Sequence, residues 1–230
     1  MKLEYVQIER YLGKLLEYCF RNNFKDFSNF NTILQKLSVN LVECVTKTPE
    51  VAREYVKDLK LPYYLPYHSV NTAVVALSAG HCLGFNKEQL IDTCRGALLH
   101  DAGMVHVPEK VFNSKEKLDI SDLFIVQQHP EYGINILSEE NKNVKTIIKS
   151  HHEKFCGGGY PMGGTWRING NTLSAVVSMA DAFDAMVTHR VYKNSITPDE
   201  ARINILSESG ISFHKDNVVG FMKGLNRLNY

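Results

Sequence analysis

Apolar residues recur at helical spacing along this chain, and that period confines it to an all-α fold. Leu12, Leu15, Leu16 and Cys19 fall on one face of a helix, and Leu34, Leu37, Leu41 and Val45 fall on one face of another. Start signals repeat. Thr48-Pro49 reads as an N-cap followed by a proline at the first helical position. Asn86 with Gln89, and Thr197-Pro198-Asp199-Glu200, read as capping boxes, in which side chains satisfy the amides orphaned at a helix start. Strand-like alternation is confined to two short candidates, residues 165–168 and 105–107. Residues 22–31 form an Asn/Phe-rich break, and residues 62–66 punctuate the entry to a histidine-bearing part. We therefore expect an N-terminal helical extension over 1–60, packing on a main domain over 61–230. The glycine clusters at 157–159 and 163–164 mark a loop of unusual backbone freedom between helices.

Length and charge narrow the functions available. With 230 residues the chain can bury a full core. Its formal net charge of +1 gives no field that favours duplex nucleic acid or an anionic membrane, so a phosphate-bearing ligand has to be attracted locally. The five cysteines are scattered and lack C-x-x-C spacing, which suits a reducing compartment and argues against a zinc ribbon. The N-terminus has no secretory pattern, and no apolar run approaches the roughly 20 residues of a spanning helix. The expected location is cytoplasmic.

The chemistry concentrates in histidine and aspartate. His151-His152-Glu153 leads into Gly157-Gly158-Gly159-Tyr160-Pro161, and upstream lie His68, His100-Asp101 and His129, with Asp181 downstream. Neutral imidazole is a ligand for first-row metals, and more than half of the nine histidines fall in this set. A single His such as His81, His106 or His214 is better read as a surface or structural residue. A buried Asp101 next to His100 is costly unless paired or metal-bound. Because a carboxylate can bridge two cations, the economical arrangement puts Asp101 at the centre. His68, His100 and Asp181 then surround one metal, and His129, His151 and His152 the other. Two metals roughly 3.5–4 Å apart can hold a hydroxide and neutralise a phosphoryl transition state.

In order along the chain stand His68-Ser69, His100-Asp101-Ala102-Gly103, Val107-Pro108, His129-Pro130, His151-His152-Glu153, Gly159-Tyr160-Pro161, Ala180-Asp181-Ala182-Phe183-Asp184-Ala185 and Arg190-Val191-Tyr192-Lys193. Together they resemble the HD-GYP subgroup of the HD phosphohydrolase superfamily, from about His68 to Phe213. The resemblance implies an HD-domain helical bundle with a Gly-rich GYP loop and a centre of two iron or manganese ions. It implies phosphodiesterase action on a cyclic dinucleotide, usually cyclic di-GMP, giving pGpG and/or GMP. It makes Asp101 and His100 the catalytic pair and the seven residues above the metal ligands. Arg190 and Lys193 match cations that contact the substrate. Asp184 would orient a ligand His or the substrate, and Tyr160 would stack on a base or pack. A homodimer or a GGDEF-type signalling protein is a partner such a protein could take.

Three positions depart from the family pattern. Met104 stands where a lysine usually touches the scissile phosphate, and methionine supplies neither charge nor proton. Cys156 stands where the family has an aspartate before the glycines, and Tyr64 where some members place a glutamate that binds a third metal. Met104 and Cys156 keep a second reading open: a cyclic-dinucleotide-binding effector or interaction protein, weak or inactive in catalysis, that retains the metal centre.

Overall fold

A helix over Tyr64–Cys82 is buried along nearly its whole length, and the other long helices arrange themselves around it. Its sequence explains the position. From Val70 to Gly80 it carries small or apolar residues and uncharged polar ones on every side, so no face of it prefers water. The structure, a computed structural model, describes residues 5–25, 27–49, 52, 64–112, 114, 116–137, 140–164, 171–188 and 195–230.

Within these residues we number the helices α1 (Tyr5–Arg21), α2 (Phe27–Lys47), α3 (Tyr64–Cys82), α4 (Lys87–Leu99), α5 (Glu109–Phe112), α6 (Ile120–Val126), α7 (His129–Ile136), α8 (Lys142–Ser150), α9 (Thr172–Val187), α10 (Pro198–Ser207) and α11 (Lys215–Arg227). A 3-10 helix, Ala102–His106, lies between α4 and α5. The described residues contain no strand, only an isolated bridge between Ser209 and Phe213. The all-α fold is as the periodicity predicts, and no described helix is long and apolar enough to cross a membrane.

The predicted faces are the buried ones. Leu12, Leu16 and Cys19 of α1 and Leu34, Leu37, Leu41 and Val45 of α2 sit in one core with α3 and α4, and Leu15 packs at its edge. Polar ties fasten α2 to the rest. Buried Arg95 of α4 pairs with Glu140 and also donates to Asn31 and Gln35 of α2. Arg227, closing α11, donates to the Val45 and Thr46 carbonyls at the end of α2, which lack intrahelical partners.

Both capping boxes form: Asn86 and Gln89 at the start of α4, Thr197 and Glu200 at the start of α10. Three expectations need correction. Residues 105–107 are not a strand: Val105 and His106 belong to the 3-10 helix, whose close packing on α7 leaves no partner strand, and only Val107 is extended. The break at 22–31 is shorter than its composition suggests. Asn23 and Phe24 turn the chain with positive φ of 51° and 54°, and α2 begins at Phe27 because Phe24 and Phe27 both enter the core. Pro66 lies inside the first turn of α3, where a missing amide costs nothing. Most of the helix predicted after Thr48, Pro62, and the strand candidate at 165–168 lie outside the described residues.

Candidate metal centre

Five elements deliver the histidines and aspartates to one place. His68 comes from α3, His100 and Asp101 from the end of α4, His129 from the start of α7, His151 and His152 from the end of α8, and Asp181 from the middle of α9. His68, His100, His129 and His151 are buried, and His68, Asp101, His129, His152 and Asp181 line an adjoining cavity.

Helix ends fix how three of the rings point. His100 Nδ1 donates to the Ala97 carbonyl at 2.7 Å, His129 Nδ1 to Val126 at 2.8 Å and His151 Nδ1 to Ile148 at 2.8 Å. In each case the acceptor lies three residues back in the last turn of a helix, where carbonyls lack intrahelical partners. Committing Nδ1–H to the backbone leaves Nε2 as a lone pair aimed inward, the arrangement that prepares imidazole for a metal. His68 is held differently. Its Nδ1 faces Asp184 Oδ2 at 2.6 Å, and the other Asp184 oxygen accepts from Asn71 at 2.9 Å and from Thr188 at 3.0 Å. Asp184 is therefore buried behind His68 and is not among the described residues that line the cavity.

Asp101 divides its two oxygens. Oδ2 lies 3.3 Å from His100 Nε2 and 3.9 Å from His68 Nε2, whereas Oδ1 lies 3.4 Å from His129 Nε2. Asp181 spans the other side, 3.0 Å from His68 Nε2 and 3.9 Å from His152 Nδ1. Two groups of converging donor atoms result: His68, His100 and Asp101, and Asp101, His129, His151 and His152.

The donor chemistry fits cations. His129 and His151 present Nε2 atoms to each other at 3.2 Å, although both rings have spent their Nδ1 protons on carbonyls. Two lone pairs at that separation repel unless a proton or a metal lies between them. Burial argues against the proton, lowering the His129 pKa, pushing His151 well down and taking His152 to about 4. His100 Nε2 is buried and makes no hydrogen bond, although Asp101 Oδ2 lies 3.3 Å away. Burial opposes ionisation of Asp101 and Asp181, yet the surrounding imidazoles hold both carboxyls well below the usual range. Burial likewise opposes a proton on His68, but its bonds to Asp181 and Asp184 outweigh that and raise it to about 9. A cation between His68 and Asp181 would displace this proton.

The glycine loop leans on the same cluster. A side chain at Gly159 would meet the His152 carbonyl at 2.4 Å and Glu153 Cα at 2.6 Å, so only glycine lets the loop lie against the helix end. Glu153 accepts from the Met162 amide at 2.5 Å and the Gly163 amide at 3.3 Å, and so ties the far side of the loop down. The loop places the Tyr160 ring on His152, with centroids 4.5 Å apart and planes 29° apart. Tyr160 then lines a cavity of about 620 Å³ together with His68, Asp101, His129, His152 and Asp181. Met104 lines it too, and Tyr64 stacks on His68 at 5.0 Å at the position of the family's third-metal glutamate. Cys156 donates to the Gly210 carbonyl at 3.1 Å and joins neither donor group.

Arg190 and Lys193 lie outside the described residues. Of the other histidines, His106 packs on Tyr132 and His214 caps α11. The supports Asn71, Thr188 and Glu153 had no assigned role from sequence. Asn71 and Thr188 were legible in principle, standing three residues after His68 and four after Asp184, on the same helical faces.

Comparison with known proteins bears on this geometry. A family model described as HD domain matches residues 50–217. Cyclic di-GMP phosphodiesterase PdeB of Borreliella burgdorferi is 29% identical over 167 residues, 70% of this chain and 44% of that protein. The 3'3'-cGAMP-specific phosphodiesterase 2 of Vibrio cholerae is 29% identical over 223 residues, 91% of this chain and 40% of its own length. The chain thus spans less than half of these relatives. Among solved structures, Bd1817, a HDG"Y"P protein from Bdellovibrio bacteriovorus, superposes with a TM-score of 0.78 at 19% identity, over 97% of this chain and 71% of that one. The similarity in structure is one of fold.

Proposed function

Because this chain belongs to the HD domain family, and by its motifs to the HD-GYP branch, we propose that it is a metal-dependent phosphodiesterase that opens a cyclic dinucleotide, cyclic di-GMP first among them. The observation that carries this reading is the division of Asp101 between two sets of imidazoles, one set containing facing lone pairs. On this reading His68, His100, Asp101 and Asp181 hold one ion and Asp101, His129, His151 and His152 the other, with iron or manganese suiting the mixed nitrogen and oxygen donors. Residues 1–60 are proposed as an extension of a domain over 61–230; in its described part, α1 and α2 share a core with α3 and α4.

A pair of such ions supplies an activated water and neutralises charge developing on the phosphoryl group. The protein's own part is positional. The carbonyls of Ala97, Val126 and Ile148 and the carboxylate of Asp184 hold the Nδ1 protons, so each imidazole offers Nε2 without reorganising. Tyr160 and the loop behind it shape one side of the cavity, and Arg190 and Lys193 match cations that contact the substrate's phosphates or guanine. Products are linear pGpG, GMP, or both.

The test is anaerobic incubation of the manganese- or iron-loaded protein with cyclic di-GMP and 3'3'-cGAMP, with products separated chromatographically. Linear dinucleotide or GMP is expected; no turnover of either ring with both ions in place sinks the enzyme. Met104 in the cavity favours a second reading, a binding effector, which the same experiment identifies as tight binding without product. Met104→Lys should raise turnover on the order of 10²-fold, since it restores one electrostatic contact at the reacting phosphate. An unchanged rate would show that this position does not limit the protein.

Asp184→Ala should weaken manganese binding by about 10- to 100-fold, because His68 loses the partner that fixes its ring. Calorimetric titration measures this, and unaltered affinity would deny Asp184 its positioning role.

A further inference from the structure

Among the described residues that line the cavity, one is a lysine or arginine: Lys117. We propose that Lys117 holds the second phosphodiester of a cyclic dinucleotide, the one not undergoing cleavage; the proposal rests on the phosphodiesterase reading above. The need for such a group follows from the ligand's chemistry. A cyclic dinucleotide carries two phosphodiesters on opposite sides of one ring, each with a full negative charge. If one meets the metal ions, the other enters a cavity whose lining includes Leu65, Val111, Phe112 and Val126. A phosphate there loses hydration, and its burial is costly unless a cation compensates. Met104 cannot do so.

Lys117 is built to be available. It is exposed and forms no ion pair among the described residues. Its backbone is held from both sides. Before it, the Ser114 hydroxyl donates to the Glu116 carbonyl at 3.1 Å and accepts from the Glu116 amide at 3.2 Å. After it, Asp119 caps α6 by accepting from the Asp122 amide at 2.8 Å. Leu118, between the two, also lines the cavity. A flexible ammonium on a fixed base can act as a point charge toward a phosphate without dictating its orientation. The neighbouring Glu116, also exposed at the cavity, would discourage a ligand that approached with its charge displaced by one residue.

The test uses the metal-loaded chain, Lys117→Gln, and Lys117→Arg. Calorimetry measures binding of a bis-phosphorothioate analogue of cyclic di-GMP that resists hydrolysis. Hydrolysis of bis(p-nitrophenyl) phosphate, which has one phosphate, serves as the control. Lys117→Gln should weaken the analogue about tenfold, the scale of one charge-assisted contact, and flatten the salt dependence of its Kd. Lys117→Arg should bind as wild type does, and all three proteins should cleave the one-phosphate diester equally. Wild-type affinity in Lys117→Gln overturns the proposal, and so does a parallel loss on the one-phosphate diester, which would place Lys117 at the reacting phosphate or in the fold. If wild type itself fails to bind the analogue, the cyclic-dinucleotide reading falls and takes this proposal with it, a result distinct from failure of the variant alone.

Discussion

Asp101→Ala is expected to leave the chain folded, to remove both metal ions, and to lower turnover of cyclic di-GMP by on the order of 10³-fold or more. Asp101 belongs to both donor groups, with Oδ2 toward His100 and Oδ1 toward His129, so its loss withdraws a ligand and a negative charge from each. The imidazoles themselves stay in place, because the Ala97, Val126 and Ile148 carbonyls hold His100, His129 and His151 independently of Asp101. Asp101→Asn separates shape from charge: the amide keeps the volume but presents one oxygen, and at most one ion should remain. Elemental counting on each variant, beside a thermal melt, gives the result. Two ions retained by Asp101→Ala at wild-type stability would exclude a bridging role.

Gly103→Ala should be nearly as damaging, through the backbone. A Cβ there would lie 1.9 Å from the His129 carbonyl oxygen and 2.6 Å from the Gly133 amide nitrogen. Neither atom belongs to a side chain that could swing aside, so the 3-10 helix and α7 have to part. Such forced separation at a packed contact costs about 3 kcal/mol or more. It also moves His129 relative to Asp101, whose nearest approach is 3.4 Å. We expect a lower melting temperature and loss of the ion held by His129, His151 and His152, with the His68 and His100 side less affected. A melt and metal content equal to wild type would mean that the two elements do not pack as described.

What could be read before the structure was local or chemically rare. The faces of α1 and α2 and the caps at Asn86 and Thr197 depend on residues a few positions apart, and the structure repeats them. The seven histidines and aspartates stood out because packing does not ask for their chemistry, and the structure brings all seven into one cluster. The anchoring of His100, His129 and His151 was hidden, since it depends on where three helices stop, and boundaries are what periodicity fixes least. Residues 105–107 misled because flanking valines suggest a strand, while the close approach of Gly103 to α7, a contact distant in sequence, sets the local conformation. The enclosure of Asp184 by Asn71 and Thr188 depends in part on a contact between α3 and α9, which lie far apart in sequence. Lys117 is one of 26 lysines and arginines, and nothing short of the cavity distinguishes it.

The claim on which everything else depends is that these seven side chains form a centre for two ions. Titrating manganese(II) anaerobically into metal-free protein, with heat as the readout, tests it most directly. The proposed ligand assignment predicts two ions per chain, both lost in Asp101→Ala. Saturation at a single ion, or no binding at all by a correctly folded chain, would contradict it.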